Sequence, residues 1–300
     1  MRLSSGKRGV RGGLWIGFSR KIRVLLVFLL VAVVLTQIAG CSGLFFVPDR
    51  RLILTPAHVG LDYQEVAVET DDGLTLDGWL LPGKPPVKAT VVFLHGNAQN
   101  ISYHLASVHW LPAEHYNVFL YDYRGFGHSQ GWATIANSVD DFAAVMRYLQ
   151  QIIPPQAQRY IVFGQSLGAA IAIASVSKYK GEFPIYAVVA DSAFAGFRRI
   201  AREKLREVTL TRPFSNLLAH AFPADPDLLQ AVATVSPIPL LLLHGADDQI
   251  VPPHHSGLLF AAAKPPKQFW LEPGAKHILA LTHPALRRRF LSYLDSVVTR

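Results

Sequence analysis

The stretch Tyr160-Ile161-Val162-Phe163-Gly164-Gln165-Ser166-Leu167-Gly168, which runs on into the small-residue segment Ala169 to Val176, decides the fold. Its first four residues have the apolar and β-branched character of a buried strand, and the segment after Gly168 that of a helix. Between the two, Ser166 stands two residues from a glycine on either side. A serine held on a sharp strand-to-helix turn needs a strained backbone, and glycines at those offsets let strand and helix pass close to it. Ser166 is therefore a candidate nucleophile whose Oγ is presented at the sheet edge. The pentapeptide alone also suits an ordinary Gly/Ser loop, so the rest of the chain has to supply a base, an acid and an oxyanion hole.

Downstream, Leu240-Leu241-Leu242-Leu243 reads as a buried strand and runs into His244-Gly245-Ala246-Asp247-Asp248-Gln249-Ile250-Val251-Pro252. Further on, the strand-like run Lys267 to Leu271 is followed by the turn Glu272-Pro273-Gly274-Ala275-Lys276 and then His277. Serine, acid and histidine thus occur in the chain order Ser…Asp…His, each just past an apolar strand. Two aspartates, Asp247 and Asp248, compete for the acid position. One oxyanion donor is the backbone N–H of Leu167, the residue after the nucleophile, at a helix N-terminus whose dipole also favours negative charge. The second must come from a loop after an earlier strand, and Ala89 to Leu94 ends in such a loop, His95-Gly96-Asn97-Ala98-Gln99-Asn100.

With these segments in place, the chain resembles a serine hydrolase of the α/β-hydrolase superfamily. Within it, the chain is similar to small, often membrane-associated members with H-G-N, Y-D-Y-R-G-F-G-x-S-x-G and G-x-S-L-G-A-A segments. Here these are His95-Gly96-Asn97, Tyr121 to Gly131 and Gly164 to Ala170. The resemblance spans roughly Asp62 to Ser296. It implies an α/β-hydrolase fold with a mostly parallel sheet flanked by helices and a small helical cap. Matching the H-G-x-x-D-x-x-V-P stretch places the acid at Asp248, with Val251-Pro252 closing the turn and Asp247 a solvated neighbour. The second oxyanion donor is by resemblance the N–H of Asn97, aimed by a tight turn at Gly96. His95 is expected to brace this loop, and Asp122 and Arg124 to satisfy backbone or each other. In these roles neutral His277 accepts the Ser166 proton, and Asp248 fixes its tautomer and stabilises the imidazolium. Epoxide hydrolase and dehalogenase chemistry is disfavoured, since those relatives attack with an aspartate where this chain has Ser166.

The organisation agrees. Glu65 to Thr70 and Thr75 to Leu80 alternate around Asp71-Asp72-Gly73 as an edge hairpin, and strands then alternate with helix-length segments, among them Ser138 to Gln151, capped by Ser138. The expected plan is a signal peptide over 1–40, a linker or N-terminal segment over 41–60 and one α/β domain over 61–300, with a cap insertion at about 192–237. The insertion carries Phe194, Phe197, Ile200, Leu205, Leu210, Phe214, Leu217, Leu218 and Phe222 among Arg198, Arg199, Arg202, Lys204 and Arg206. An apolar underside favours a small-molecule or lipid acyl substrate, and the basic, apolar surface suits a membrane. His254-His255 and His283-Pro284 read as helix starts. No third ligand stands near the paired histidines in sequence, so no metal is expected, and no phosphate loop or dinucleotide fingerprint points to a cofactor.

The formal charge of +8 misleads if read whole. Residues 1–40 hold seven Lys/Arg and no Asp or Glu, leaving 22 basic against 21 acidic residues, so no nucleic-acid partner is implied. Arg20 to Arg23 forms a positive region ahead of the apolar run Val24 to Leu35, too short for a span of ~20 residues. Ile38-Ala39-Gly40-Cys41 resembles the lipobox of bacterial lipoproteins, which implies a lipidated Cys41 and a cell-envelope location, with Ser42 leaning toward the outer membrane. Cys41 is the only cysteine, so no intrachain disulfide forms and the core alone must hold the fold. Three functions fit: a hydrolase of esters or thioesters, a peptidase or acyltransferase on the same triad, and a non-catalytic envelope lipoprotein.

Overall fold

The computed structural model describes residues 45–299, so the leader and Cys41 lie outside the described residues. The strand-like runs read above all become strands, and two more join them: β1 (Gln64–Glu69), β2 (Thr75–Leu81), β3 (Ala89–Leu94), β4 (Tyr116–Tyr121), β5 (Tyr160–Gln165), β6 (Ile185–Asp191), β7 (Leu240–Gly245) and β8 (Lys267–Glu272). Their order across one sheet is β1-β2-β4-β3-β5-β6-β7-β8. The β1/β2 and β2/β4 pairs are antiparallel and all others parallel. The inner strands carry no polar alternation because both faces are covered. Val92, Val162 and Leu242 enter one apolar layer, and Val91, Ile161 and Leu241 the other.

Helices α1 (Ile101–His104), α2 (Ile135–Ile152), α3 (Leu167–Tyr179), α4 (Phe197–Glu207), α5 (Ser215–Ala219), α6 (Leu228–Thr234), α7 (His254–Ala262) and α8 (Pro284–Val298) flank the sheet and its C-terminal edge. Phe142 of α2, Ile171 of α3, Val232 of α6 and Leu259 of α7 fill the first layer. Ile101 of α1 and Leu286, Phe290 and Leu294 of α8 fill the second. The sheet is thus sealed on both sides, and only the loops at the carboxyl ends of the parallel strands are left to form a site. None of the helices among the described residues is long and apolar enough to cross a membrane.

Several local expectations are corrected. Helix α2 begins three residues before Ser138: Thr134 is its cap, accepting from the Asn137 N–H at 3.1 Å while Asn137 Oδ1 accepts from the Thr134 N–H at 2.7 Å. This reciprocal pair satisfies two donors, which a serine one turn inside the helix does not. Of the two readings of residues 45–60, linker or N-terminal segment, the packing is that of a segment of the domain. Phe46 is buried in the core, Val47–Pro48 pairs in parallel with Ala98–Gln99, and Asn100 Nδ2 donates to the carbonyls of Asp49 and Arg51. The insertion also divides: α6 packs on the sheet face beside α3, so only residues up to about Phe222 overlie the site. Arg124 pairs with Asp141 and Asp72 rather than with Asp122, whose carboxylate instead accepts from the Ile101 N–H.

The helix start is testable. Thr134→Ala should cost about 1 kcal/mol in urea unfolding. Ser138→Ala, which removes a buried hydroxyl without a hydrogen-bond partner, should leave stability unchanged or raise it. The reverse ranking would return the cap to Ser138.

Candidate active site

Between β5 and α3 the chain turns so sharply that Ser166 adopts φ 55° and ψ −115°, a conformation that L side chains rarely take. What holds it there is close packing. A Cβ on Gly164 would overlap the Gly168 carbonyl, and a Cβ on Gly168 would overlap the carbonyls of Leu94 and His95 at the end of β3. The Ser166 N–H donates to Asp191 O at 2.8 Å, tying the turn to the end of β6. The Leu167 N–H at the helix start and the Asn97 N–H are free of backbone acceptors among the described residues, and Ser166, Leu167 and Asn97 line one cavity. Gly96, in the same loop, lies close against the His104 ring, where a Cβ would come within 3.2 Å.

At the ends of β7 and β8, Asp248 Oδ2 stands 2.7 Å from His277 Nδ1. The carboxylate also accepts from the N–H groups of Ile250 and Val251, both at 2.9 Å, and His244 Nε2 lies 3.2 Å away. Burial works to raise the Asp248 carboxyl, but bonds from His244, His277 and the Val251 N–H outweigh it and hold the group well below the usual carboxylate range. An ionised Asp248 requires the proton on His277 Nδ1, which leaves Nε2 with the lone pair that a base uses. Asp247 is exposed and bonds only through its backbone, to Ala275 O. The Ser166 hydroxyl has no hydrogen bond among the described residues; catalytic bonds of this kind are often long until substrate binds.

Three further residues connect the serine and histidine loops. Gln165 Nε2 donates to Asp191 Oδ2 at 2.9 Å and reaches Ile278 O at 3.4 Å, while the Ile278 N–H donates to Ser192 Oγ at 3.1 Å. Ile278 has φ 53°, a costly state for a β-branched residue, so both polar ends of the residue after His277 are gripped. Asp191 is completely buried, and burial raises its carboxyl. Sequence reading gave no role to Gln165, Asp191, Ser192 and His244, whose bonds hold the loops of Ser166, Asp248 and His277. Their one signal was position at strand ends, which many structural residues share.

His95, His254 and His255 have partners of their own. His95 is buried, with Nδ1 2.8 Å from Gly96 O and its ring 4.3 Å from that of Tyr123. His254 and His255 do meet a third group, Glu203 of α4, contrary to the expectation that none was available. Yet His255 Nδ1 accepts from the Ala195 N–H at 3.1 Å, so Nε2 carries the proton and donates to Glu203 at 2.9 Å. A cation would need that Nε2 lone pair. The cluster braces the cap helix against α7.

A mostly parallel sheet of this order, a strained serine between β5 and α3, and Asp and His at the ends of β7 and β8 define an architecture that comparison with known proteins also finds. The chain is 36% identical to the uncharacterised protein YfhR of Escherichia coli strain K12, over 79% of this chain and 80% of that one. Residues 85–224 match the Hydrolase_4 family, described as serine aminopeptidase, S33. The chain belongs to the α/β-hydrolase superfamily. It is also 27% identical to protein bem46 of Schizosaccharomyces pombe, over 76% of this chain and 75% of that one. The fold superposes on the Pyrococcus furiosus esterase Pf2001 with a TM-score of 0.68 and 23% identity, covering 85% of this chain and 97% of that one. It is thus a hydrolase by family.

Below the Asn97 loop, His104 is pushed down to about 4 from an ordinary 6.5, by burial first and by neighbouring His95 next. Folded His104 stays neutral where the unfolded chain would bind a proton. Its contribution is therefore intact above pH ~6.5 and is lost toward pH ~4, at up to about 1.4 kcal/mol per pH unit. His104→Gln should remove that part of the slope in urea unfolding across this pH range; an unchanged slope would refute the assignment.

Proposed function

We propose that this α/β-hydrolase cleaves an acyl ester or thioester through Ser166, His277 and Asp248 and an acyl-enzyme intermediate. The observation that carries the reading is the cavity on Ser166, about 460 Å³ in volume and walled by apolar side chains such as Phe194, Ile200, Leu205 and Phe222. Its one charged lining residue is Lys204. Such a wall suits an acyl chain, whose burial is worth about 0.8 kcal/mol per CH₂.

In this mechanism Ser166 Oγ attacks the acyl carbon as its proton passes to His277 Nε2. The N–H groups of Leu167 and Asn97 receive the oxyanion, and Asp248 stabilises the imidazolium. His277 then returns the proton to the leaving alcohol or thiol. Water, deprotonated by the same nitrogen, attacks the acyl-serine and releases the acid.

The aminopeptidase description of the matching family favours a second reading, peptide cleavage by the same residues. A free α-amino group needs an acidic partner, however, and the cavity offers a lysine. A cleaved leader with lipid on Cys41, in a bacterial cell envelope and at the outer membrane, completes the proposal on sequence grounds alone.

A fluorophosphonate probe should label Ser166, and Ser166→Ala should abolish labelling and lower ester turnover by about four orders of magnitude or more. p-Nitrophenyl esters of increasing acyl length should pass through an optimum set by the cavity. Faster release from aminoacyl anilides than from esters would favour the peptidase. No labelling of folded protein would reject both.

A further inference from the structure

We infer that the cap rim is a docking surface for an anionic lipid bilayer, set so that the cavity on Ser166 opens toward the membrane. Charge is the first observation. Residues 45–299 balance, with 21 basic and 21 acidic side chains, but the balance is polarised. Between Phe197 and Phe222 stand six basic residues against two acidic, and the remainder carries 15 basic against 19 acidic. Glu203 and Glu207 of this segment are already taken, by the two histidines and by Lys204. Arg198, Arg199, Arg202, Arg206 and Arg212 therefore have no carboxylate partner among the described residues. Arg198, Arg199 and Arg202 line a cleft of about 420 Å³ with Asn216 and His220, and Arg202 Nε is buried there without a partner. Unpaired cations crowded on one face repel one another and gain from an anionic counter-surface.

Apolar exposure lies in the same place. Val208, Leu210, Phe214 and Leu217 are 54%, 83%, 58% and 53% exposed, and Ile250 is 59% exposed. Val208 and Ile250 also line the cavity, so the apolar rim borders the opening to Ser166. Helix α4 divides the two functions. Ile200, Ala201, Lys204 and Leu205 face the cavity, while Arg198, Arg199 and Arg202 face the cleft. Apolar side chains that enter the acyl boundary beside arginines at headgroup level form an interfacial surface.

The third observation is where the chain enters the fold. Phe45 lines the cavity and packs against Phe194, Phe197 and Phe222 at ring separations of 6.1, 5.1 and 5.6 Å. Four residues upstream lies Cys41, the proposed lipid attachment, within about 14 Å of extended chain. A lipid on Cys41 would keep the Phe45 side of the cap within that reach of the bilayer. Membrane-resident acyl lipids are then the substrate class, a step that rests on the ester reading above; docking itself does not.

The test uses residues 42–300, which lack the lipid but keep every strand and both apolar layers. This protein should float with vesicles of phosphatidylcholine and phosphatidylglycerol, release in high salt and ignore phosphatidylcholine alone. Leu210→Ser with Phe214→Ser, and separately Arg199→Gln with Arg206→Gln, should each lower the bound fraction about tenfold, with hydrolysis of a water-soluble short ester unchanged. Trp132→Ser, 80% exposed outside the cap, should bind as the parent does. Ser166→Ala should bind fully while hydrolysing nothing, which separates failure of docking from failure of the ester reading. Parent protein that ignores both vesicle types, or rim variants that float like the parent, would overturn the inference.

Discussion

The approach of Gly168 to the carbonyls of Leu94 and His95 is the constraint on which the rest of the site depends. Only without a Cβ can the first turn of α3 sit against the end of β3. That contact brings the serine turn beside the loop that carries Asn97, and so puts two N–H groups from different strands on one cavity. It also forces Ser166 into φ 55°, a strain repaid by the hydrogen bond to Asp191 and by the sealed apolar layers on either side. A looser junction would keep the fold and lose the geometry.

Around this junction the protein holds its buried polar groups in connected chains. Ser107 Oγ donates to Gln165 Oε1, Gln165 to Asp191, and Ser192 stands between Asp191 and the Ile278 N–H. Each link satisfies a group that would otherwise be costly to bury, and the whole pins the peptide after His277. On the other side of the histidine, His244 and two N–H groups keep Asp248 ionised. Both nitrogens of His244 are committed, Nδ1 at 2.6 Å from Ser256 Oγ and Nε2 at 2.8 Å from Val251 O. The acid loop is therefore fixed from beneath as well as from its own turn.

The cap adds a different kind of organisation. Its underside continues the apolar core through Phe194, Phe197 and Ile200, whereas its outer side concentrates exposed leucine and phenylalanine and arginines without a carboxylate partner among the described residues. The Glu203 brace to His254 and His255 ties this element to the start of α7, close to the Asp248 turn. Cap position and the Asp248 turn are thus mechanically joined, so a surface that engages the cap acts on an element fixed to that turn.

Fold class, strand order in the chain and the position of Ser166, Asp248 and His277 just past strand ends were legible because they depend on local features: apolar runs of strand length, the glycine spacing about the serine, and a strand end before each polar residue. The cap of α2 was misplaced because Ser138 and Thr134 have equal side-chain chemistry, and only backbone conformation separates them. Residues 45–60 stayed open between a linker and an N-terminal segment because the partners that hold them, Ala98–Gln99 and Asn100, lie some fifty positions away. Distance along the chain also hid Glu203 from His255, 52 positions apart, and Ile278 from Gln165, 113 apart. Sequence alone determined which side chains this protein brings to its strand ends, since burial and turn chemistry are short-range. Tertiary structure decided which of them touch, because hydrogen-bond partners and an apolar cavity arise only when segments remote in the chain are packed together.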